Sequence, residues 1–163
     1  MDEDKLTETV KEFKEKLPEF DDGRIDYHSS DIAPVTTVFV RKGNKILLMK
    51  RSEKVRTYKE LWNTVAGYLD EVIPLEEKVL EELDEEISVT EEDITSIQFS
   101  EPHTFTDKKI NKTWITYPVL VTVKKDTKIN TDWEHTKYRW IDPEELKYYE
   151  TVPKLKEGLE KVI

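Results

Sequence analysis

The chain contains no cysteine, which excludes disulfides, thiolate metal sites and cysteine nucleophiles. Glycine is almost as scarce, with four in 163 residues, and no glycine-rich phosphate loop can be assembled from them. No apolar run approaches the roughly 20 residues that span a bilayer. The acidic N-terminus also lacks the basic-then-apolar layout of a signal peptide. A cytoplasmic protein without membrane partners is therefore expected. Basic excess is missing too: 26 Lys and Arg face 36 Asp and Glu, a net charge of −10. Neutralising a phosphate backbone needs a basic face, so DNA and RNA are not expected partners. A metal ion can still carry a phosphate ligand onto an acidic surface. The three histidines, His28, His103 and His135, lack metal-ligand spacing, and no zinc site is expected.

What is present is regular amphipathic patterning. A charged fraction of 38% sits between well-spaced apolar segments, enough to bury one core. Residues 2–16 carry Leu6, Val10 and Phe13 on one helical stripe, and Pro18 stops that helix. It packs either on its own domain or on a second copy in a homodimer. Residues 21–30 read as a polar connector. PVTTVFV (34–40) and KILLMK (45–50) form a predicted hairpin around Gly43-Asn44. Further strands are predicted over 61–69, 93–100, 113–123 and 138–141, with Pro118 marking an edge or a bulge in its strand. Asp142-Pro143-Glu144-Glu145 has the N-cap, first-turn proline and glutamate of a capping box. Thr151 is expected to cap a last helix with Val152, Leu155, Leu159 and Val162 inward. Strands interleaved with about three helices predict a mixed α/β or α+β sandwich. The division is an N-terminal helical extension over 1–33 and a main domain over 34–163.

The densest signal is GYLDEVIPLEEKVLEELDEEISV, Gly67 to Val89. Its eleven residues from Glu76 to Glu86 hold seven acids and one lysine. On a helix from about Pro74 to Ile87, Leu75, Val79, Leu80, Leu83 and Ile87 share an apolar face. Glu82, Glu85 and Glu86 stand at i, i+3 and i+4, so their carboxylates can converge. Like-charge pairs at i, i+4 cost an isolated helix about 0.2–0.5 kcal/mol each. A hard divalent cation reverses that sign, because Mg²⁺ prefers carboxylate oxygens. On spacing alone, a Glu-rich face in so charged a chain is more often simply solvated than metal-binding.

In register from Gly67, the segment resembles the box of the Nudix hydrolase family, G-x5-E-x7-R-E-U-x-E-E-x-G-U, where U is a bulky aliphatic residue. Gly67, Glu82-Leu83, Glu85-Glu86 and Val89 match without a gap. LLMKRS (47–52), LWNTVAG (61–67) and WEHTKYRWIDPEEL (133–146) resemble the family's flanking segments, so the likeness covers about residues 34–147. It implies a Nudix-type α/β/α sandwich with a mixed sheet, extended here by an N-terminal and a C-terminal helix. The chemistry implied is a Mg²⁺- or Mn²⁺-dependent attack of water on a diphosphate linkage, in a nucleoside diphosphate derivative or related small molecule. Glu82, Glu85 and Glu86 would hold the cation. One of them, or Glu134 in the loop before the YRWI strand, would act as base. Lys50 and Arg51 would balance phosphate charge. Trp62, Gly67 and Tyr68, with His103, Phe105 and Trp133, would line or stack on the substrate, whose identity would be set by loops such as 52–60 and 101–112.

Three positions depart from the box: its first glutamate falls on Ile73, its arginine on Glu81 and its second glycine on Ser88. In the family that glutamate and arginine pair to brace the catalytic glutamates. Removing both partners is far milder than orphaning one charge, which costs about 3–5 kcal/mol, so the fold is expected to survive. Losing an orienting group typically lowers metal affinity or activity about 10–100-fold. The alternative reading is a Nudix-fold nucleotide-binding or regulatory module with impaired catalysis. Glu71 and Glu76 are out-of-register substitutes for the missing glutamate, and Glu76 and Glu77 are expected to face water. Ser88 in a left-handed turn costs about 1 kcal/mol.

Overall fold

The computed structural model describes all 163 residues. Helix α1 (Glu3–Lys16) starts at Asp2, whose carboxylate accepts the Lys5 N–H at 3.1 Å. Acids in its first turn and lysines in its last complement the helix dipole. Leu6 and Val10 are buried in the main core, so the helix packs on its own domain. The following connector is not free of the fold either. Ile25 and Tyr27 are buried, and the Tyr27 hydroxyl donates to the Leu69 carbonyl at 2.7 Å.

Strands β1 (Ile32–Lys42) and β2 (Lys45–Arg51) form the hairpin, pairing Lys42 with Lys45 and Arg41 with Ile46. Gly43 supplies the turn's positive φ of 61°. Beyond those pairs the strands part, and the segment expected as one strand over 61–69 divides at Thr64. Its first half, β3 (Trp62–Asn63), pairs with β2, and its second, β4 (Val65–Tyr68), pairs with β1. Thr64 anchors the crossing by donating its hydroxyl to the Val38 carbonyl at 2.6 Å. Helix α2 (Leu75–Ile87) follows, then β5 (Ile94–Phe99), β6 (His103–Asp107), β7 (Lys112–Val123) and β8 (His135–Ile141), and finally α3 (Leu155–Val162). β1 and β7 run parallel from Ile32–Thr113 to Arg41–Thr122, while the other pairings are antiparallel, giving an eight-stranded mixed sheet.

The uninterrupted apolar runs are explained by burial on both faces. Val38, Val40, Leu47, Met49, Val119 and Val121 point into the larger core with α1 and α2. The intervening Phe39, Ile46, Leu48 and Leu120 point into a second core with Leu146, Leu155 and Leu159. The α/β/α layering expected from the sequence is thus realised.

Several local expectations are corrected. Pro118 lies on β7, in the centre of the sheet and opposite Thr37, without a bulge. Its partners change there: β5 pairs as far as Val119, and β6 from Thr116. The Pro118 carbonyl accepts from Ser100 at 3.2 Å, so the edge lacking an N–H faces a strand junction. Residues 103–107, expected within a loop, form β6 in a tight hairpin with β7. Thr151 caps nothing. Trp62 donates to the Glu150 carbonyl at 2.8 Å and accepts from Val152 at 3.0 Å, which holds 150–152 extended beside β3. Helix α3 therefore begins at Leu155. The capping box at Asp142 and Glu145 forms, but it opens a 3-10 turn over Pro143–Tyr148.

Candidate functional site

Helix α2 carries two adjacent buried rows. Leu75, Val79, Leu83 and Ile87 enter the core, and Leu80 is only half-buried. One position earlier in each turn, Lys78, Glu82 and Glu86 are buried as well. Glu85 projects at the rim with a 54% exposed side chain and approaches Arg24 at 3.8 Å. Glu76, Glu77 and Asp84 face solvent. The three box glutamates therefore do not share one environment: two are enclosed and one is wet.

Lys78 is the group that sequence reasoning passed over. It is 1% exposed, and its ammonium donates to Asp70 Oδ1 at 2.7 Å. It also lies 3.4 Å from Glu82 and 3.5 Å from Glu71 and Glu81. Burial opposes its charge, but the Asp70 hydrogen bond and the fields of Asp70, Glu82 and Glu81 outweigh that and raise its pKa. The positive charge missing at position 81 thus enters the cluster from one turn earlier, and Asp70 and Glu71 receive it in place of position 73. The only local signal was a lone lysine spaced i, i+3 and i+4 from Glu81 and Glu82.

Gly67 leaves the space that the Glu82 carboxylate fills, because a Cβ there would collide with it. Next to it, the Ala66 N–H donates to Glu86 Oε2 at 3.3 Å. Beyond Ile87, Ser88 adopts φ 58° and ψ 34°, so the left-handed turn persists without its glycine. The loop before β8 then docks on the helix end. Asn130 and Asp132 N–H groups donate to the Ile87 and Glu86 carbonyls, each at 3.1 Å, satisfying groups every helix terminus leaves open.

That docking delivers Glu134 and His135 to Glu86. One ligand atom from each of the three lies within 4.8 Å of the others. Burial first, then Glu134 and Glu82, push Glu86 well above the usual carboxylate range. Burial and the charges of Asp132 and Glu82 raise Glu134 to about 7, although Arg51 opposes this. Burial, with Arg51, lowers His135 to about 4, leaving the ring neutral at pH 7. Buried carboxylates this close are disfavoured unless they share protons or a cation. Their oxygen-rich set suits a hard divalent ion, so these residues fit the Mg²⁺ or Mn²⁺ expected from the sequence.

A cavity of about 450 Å³ opens beside this cluster. Among residues singled out from the sequence, Arg51, Gly67, Tyr68, Glu82, Glu85, Glu134, His103, Phe105 and Trp133 line it. Glu86, Lys50 and Trp62 do not, Glu86 lying buried behind the wall. Strand alternation turns Lys50 away from the face used by Arg51, and Trp62 packs edge-on against Tyr149 with centroids 5.0 Å apart. The Arg51 guanidinium donates to the Thr57 carbonyl at 2.9 and 3.1 Å, folding the 52–60 loop over the cavity. Tyr68 stacks on Tyr27 at 5.4 Å. The connector residues Arg24 to His28 form a further wall that the sequence did not announce.

The chain is thus an α/β/α sandwich in which carboxylates of α2 and of the loop before β8 gather beside a cavity of small-molecule size. Residues 31–162 match the NUDIX domain, and the chain belongs to that family. No curated protein sequence matches it. Among solved structures, the MutT protein from Methanosarcina mazei Go1 superposes with a TM-score of 0.65 at 21% identity, covering 81% of this chain and 93% of that one. A Caenorhabditis elegans Ap4A hydrolase gives 0.65 at 17% identity over 79% and 93%. The NUDIX domain of Shewanella oneidensis NrtR, complexed with ADP ribose, gives 0.63 at 16% over 79% and 84%. At these identities the likeness concerns the fold.

Proposed function

We propose that the protein is a Mg²⁺- or Mn²⁺-dependent hydrolase that cleaves a diphosphate linkage in a nucleoside diphosphate derivative or a related small molecule. The observation carrying this reading is the convergence of Glu86, Glu134 and His135, with Glu82 one turn earlier on α2 lining the cavity and Lys78 behind it as the brace. Glu82, Glu85 and Glu86 would hold the cation, which when bound supplies charge neutralisation for the phosphate oxygens. Lys78 fixes Glu82 from behind, so loss of the box arginine does not leave that carboxylate unsupported. Glu134 accepts the proton of the attacking water; a base raised to about 7 is matched to proton transfer near neutral pH. Arg51 lies on the cavity wall, where it balances phosphate charge. Tyr68, Phe105 and Trp133 offer aromatic faces to a base or sugar. The Ap4A hydrolase and the ADP-ribose-bound domain among the similar structures support a nucleotide-derived substrate class.

The test is a product screen over nucleoside triphosphates, dinucleoside polyphosphates, ADP-ribose-like compounds and sugar nucleotides, with Mg²⁺ or Mn²⁺. Metal-dependent cleavage is expected, lost in the Glu85→Gln/Glu86→Gln double variant together with Mn²⁺ binding. Turnover that persists in EDTA refutes the mechanism. Nucleotide binding without any turnover selects the impaired-module reading, which the absence of arginine at Glu81 favours.

A further inference from the structure

We propose that His135 is a nitrogen ligand of the cation held by the box glutamates through Glu86, which makes the centre a mixed nitrogen–oxygen site favouring transition-metal ions such as Co²⁺ and Mn²⁺ over Mg²⁺. The inference rests on the cation-binding reading above and goes beyond it, since the box supplies oxygen ligands only.

The ring's surroundings carry the argument. His135 is 5% exposed, and neither of its ring nitrogens has a hydrogen-bond partner. Leaving a buried polar group unsatisfied costs about 1–3 kcal/mol, so an imidazole enclosed in this way requires a partner. The candidates are close but out of bonding range: Nε2 lies 3.9 Å from Glu86 Oε1, and Nδ1 lies 3.6 Å from Asp132 Oδ1. Hydrogen bonds need roughly 2.7–3.2 Å.

An ion resolves both gaps. With bonds of about 2.1 Å, neighbouring ligands of an octahedral cation sit about 3 Å apart and opposite ones about 4.2 Å. The 3.9 Å between Nε2 and Glu86 falls within that range. Glu134 offers an oxygen within 4.8 Å of the Glu86 and His135 ligand atoms, where it stands beside the ion as the base. Nε2 faces the cation, and Nδ1–H is then aimed at Asp132. A carboxylate that receives the second N–H of a metal-bound histidine fixes its tautomer and orientation. Asp132 is itself fixed by its backbone N–H, which donates to the Glu86 carbonyl at 3.1 Å. Imidazole nitrogen raises affinity along the first-row divalent series, whereas Mg²⁺ gains little from it.

The decisive measurement is pulsed electron paramagnetic resonance on the Mn²⁺-loaded protein, prepared with ordinary and with ¹⁵N-labelled histidine. A directly bound imidazole gives ¹⁴N modulation that converts to the ¹⁵N pattern on labelling. This should survive His28→Gln and His103→Gln and vanish in His135→Gln. In calorimetry, His135→Gln should lower the Co²⁺-to-Mg²⁺ affinity ratio by about 10-fold. Because labelling leaves the chain unaltered, the result stands even if the His135 variant fails to fold. Bound Mn²⁺ without a histidine nitrogen signal overturns this inference and leaves the hydrolase reading intact. Absence of Mn²⁺ binding altogether overturns both.

Discussion

Replacing Lys78 by methionine keeps the apolar stem and removes the charge from the centre of a carboxylate cluster. Two of its four partners are poorly solvated: the Asp70 side chain is 16% exposed at 2.7 Å, and that of Glu82 is 11% exposed at 3.4 Å. Breaking a buried pair by removing one partner costs about 3–5 kcal/mol. Glu71 and Glu81 are 30% and 32% exposed, so water screens them and they add little. For a domain of this size each kcal/mol moves the melting temperature by about 2–4 °C. Lys78→Met should therefore melt about 6–20 °C below the wild type in EDTA at pH 7, and Lys78→Arg should recover most of that loss. A double-mutant cycle with Asp70→Asn isolates the pair, and a coupling of at least about 1 kcal/mol is expected. A destabilisation below about 1 kcal/mol, or additive single variants, would refute the assignment of Lys78 as the replacement brace.

Gly67→Ala places a methyl group where the Glu82 carboxylate lies; it should cost about 1–3 kcal/mol and weaken Mn²⁺ binding, and unchanged melting and binding would refute the contact. Ser88→Gly should raise stability by up to about 1 kcal/mol, since relief of about 1–2 kcal/mol of left-handed strain exceeds glycine's added chain entropy; a lower melting temperature would contradict it. Glu134 has a folded pKa raised from 4.5 to about 7, so its stabilising contribution is present below the unfolded value and lost as pH rises through 7. Metal-free Glu134→Gln should accordingly gain on the wild type between pH 5 and 8, by about 1–3 kcal/mol after discounting partial exposure. Urea unfolding at the two pH values measures this, and a pH-independent difference would disprove it.

Much of the fold was legible because the signals are local. The hairpin turn at Gly43-Asn44, the heptad-like rows of α2 and the capping box at Asp142 each depend on residues within a few positions of one another. Where the sequence reading erred, pairing partners were decisive. The 61–69 segment looks like one strand, yet it divides at Thr64 because it spans two strands that have already separated. Pro118 looks like an edge residue, yet it sits mid-sheet because two short strands meet beside it.

The same division holds at the site. By itself the sequence determined the box register, the helical row that brings Glu82 and Glu86 to one side, and the departures at Ile73, Glu81 and Ser88, because helical spacing fixes which residues share a face. Only the tertiary structure decided that Glu85 is exposed while its neighbours are buried, that Arg51 rather than Lys50 lines the cavity, and that Lys78 reaches Asp70. His135 stands 49 positions from Glu86 in the chain and meets it because the loop before β8 closes the end of α2. Contacts of that kind are set by chain closure and burial, which no window of neighbouring residues encodes.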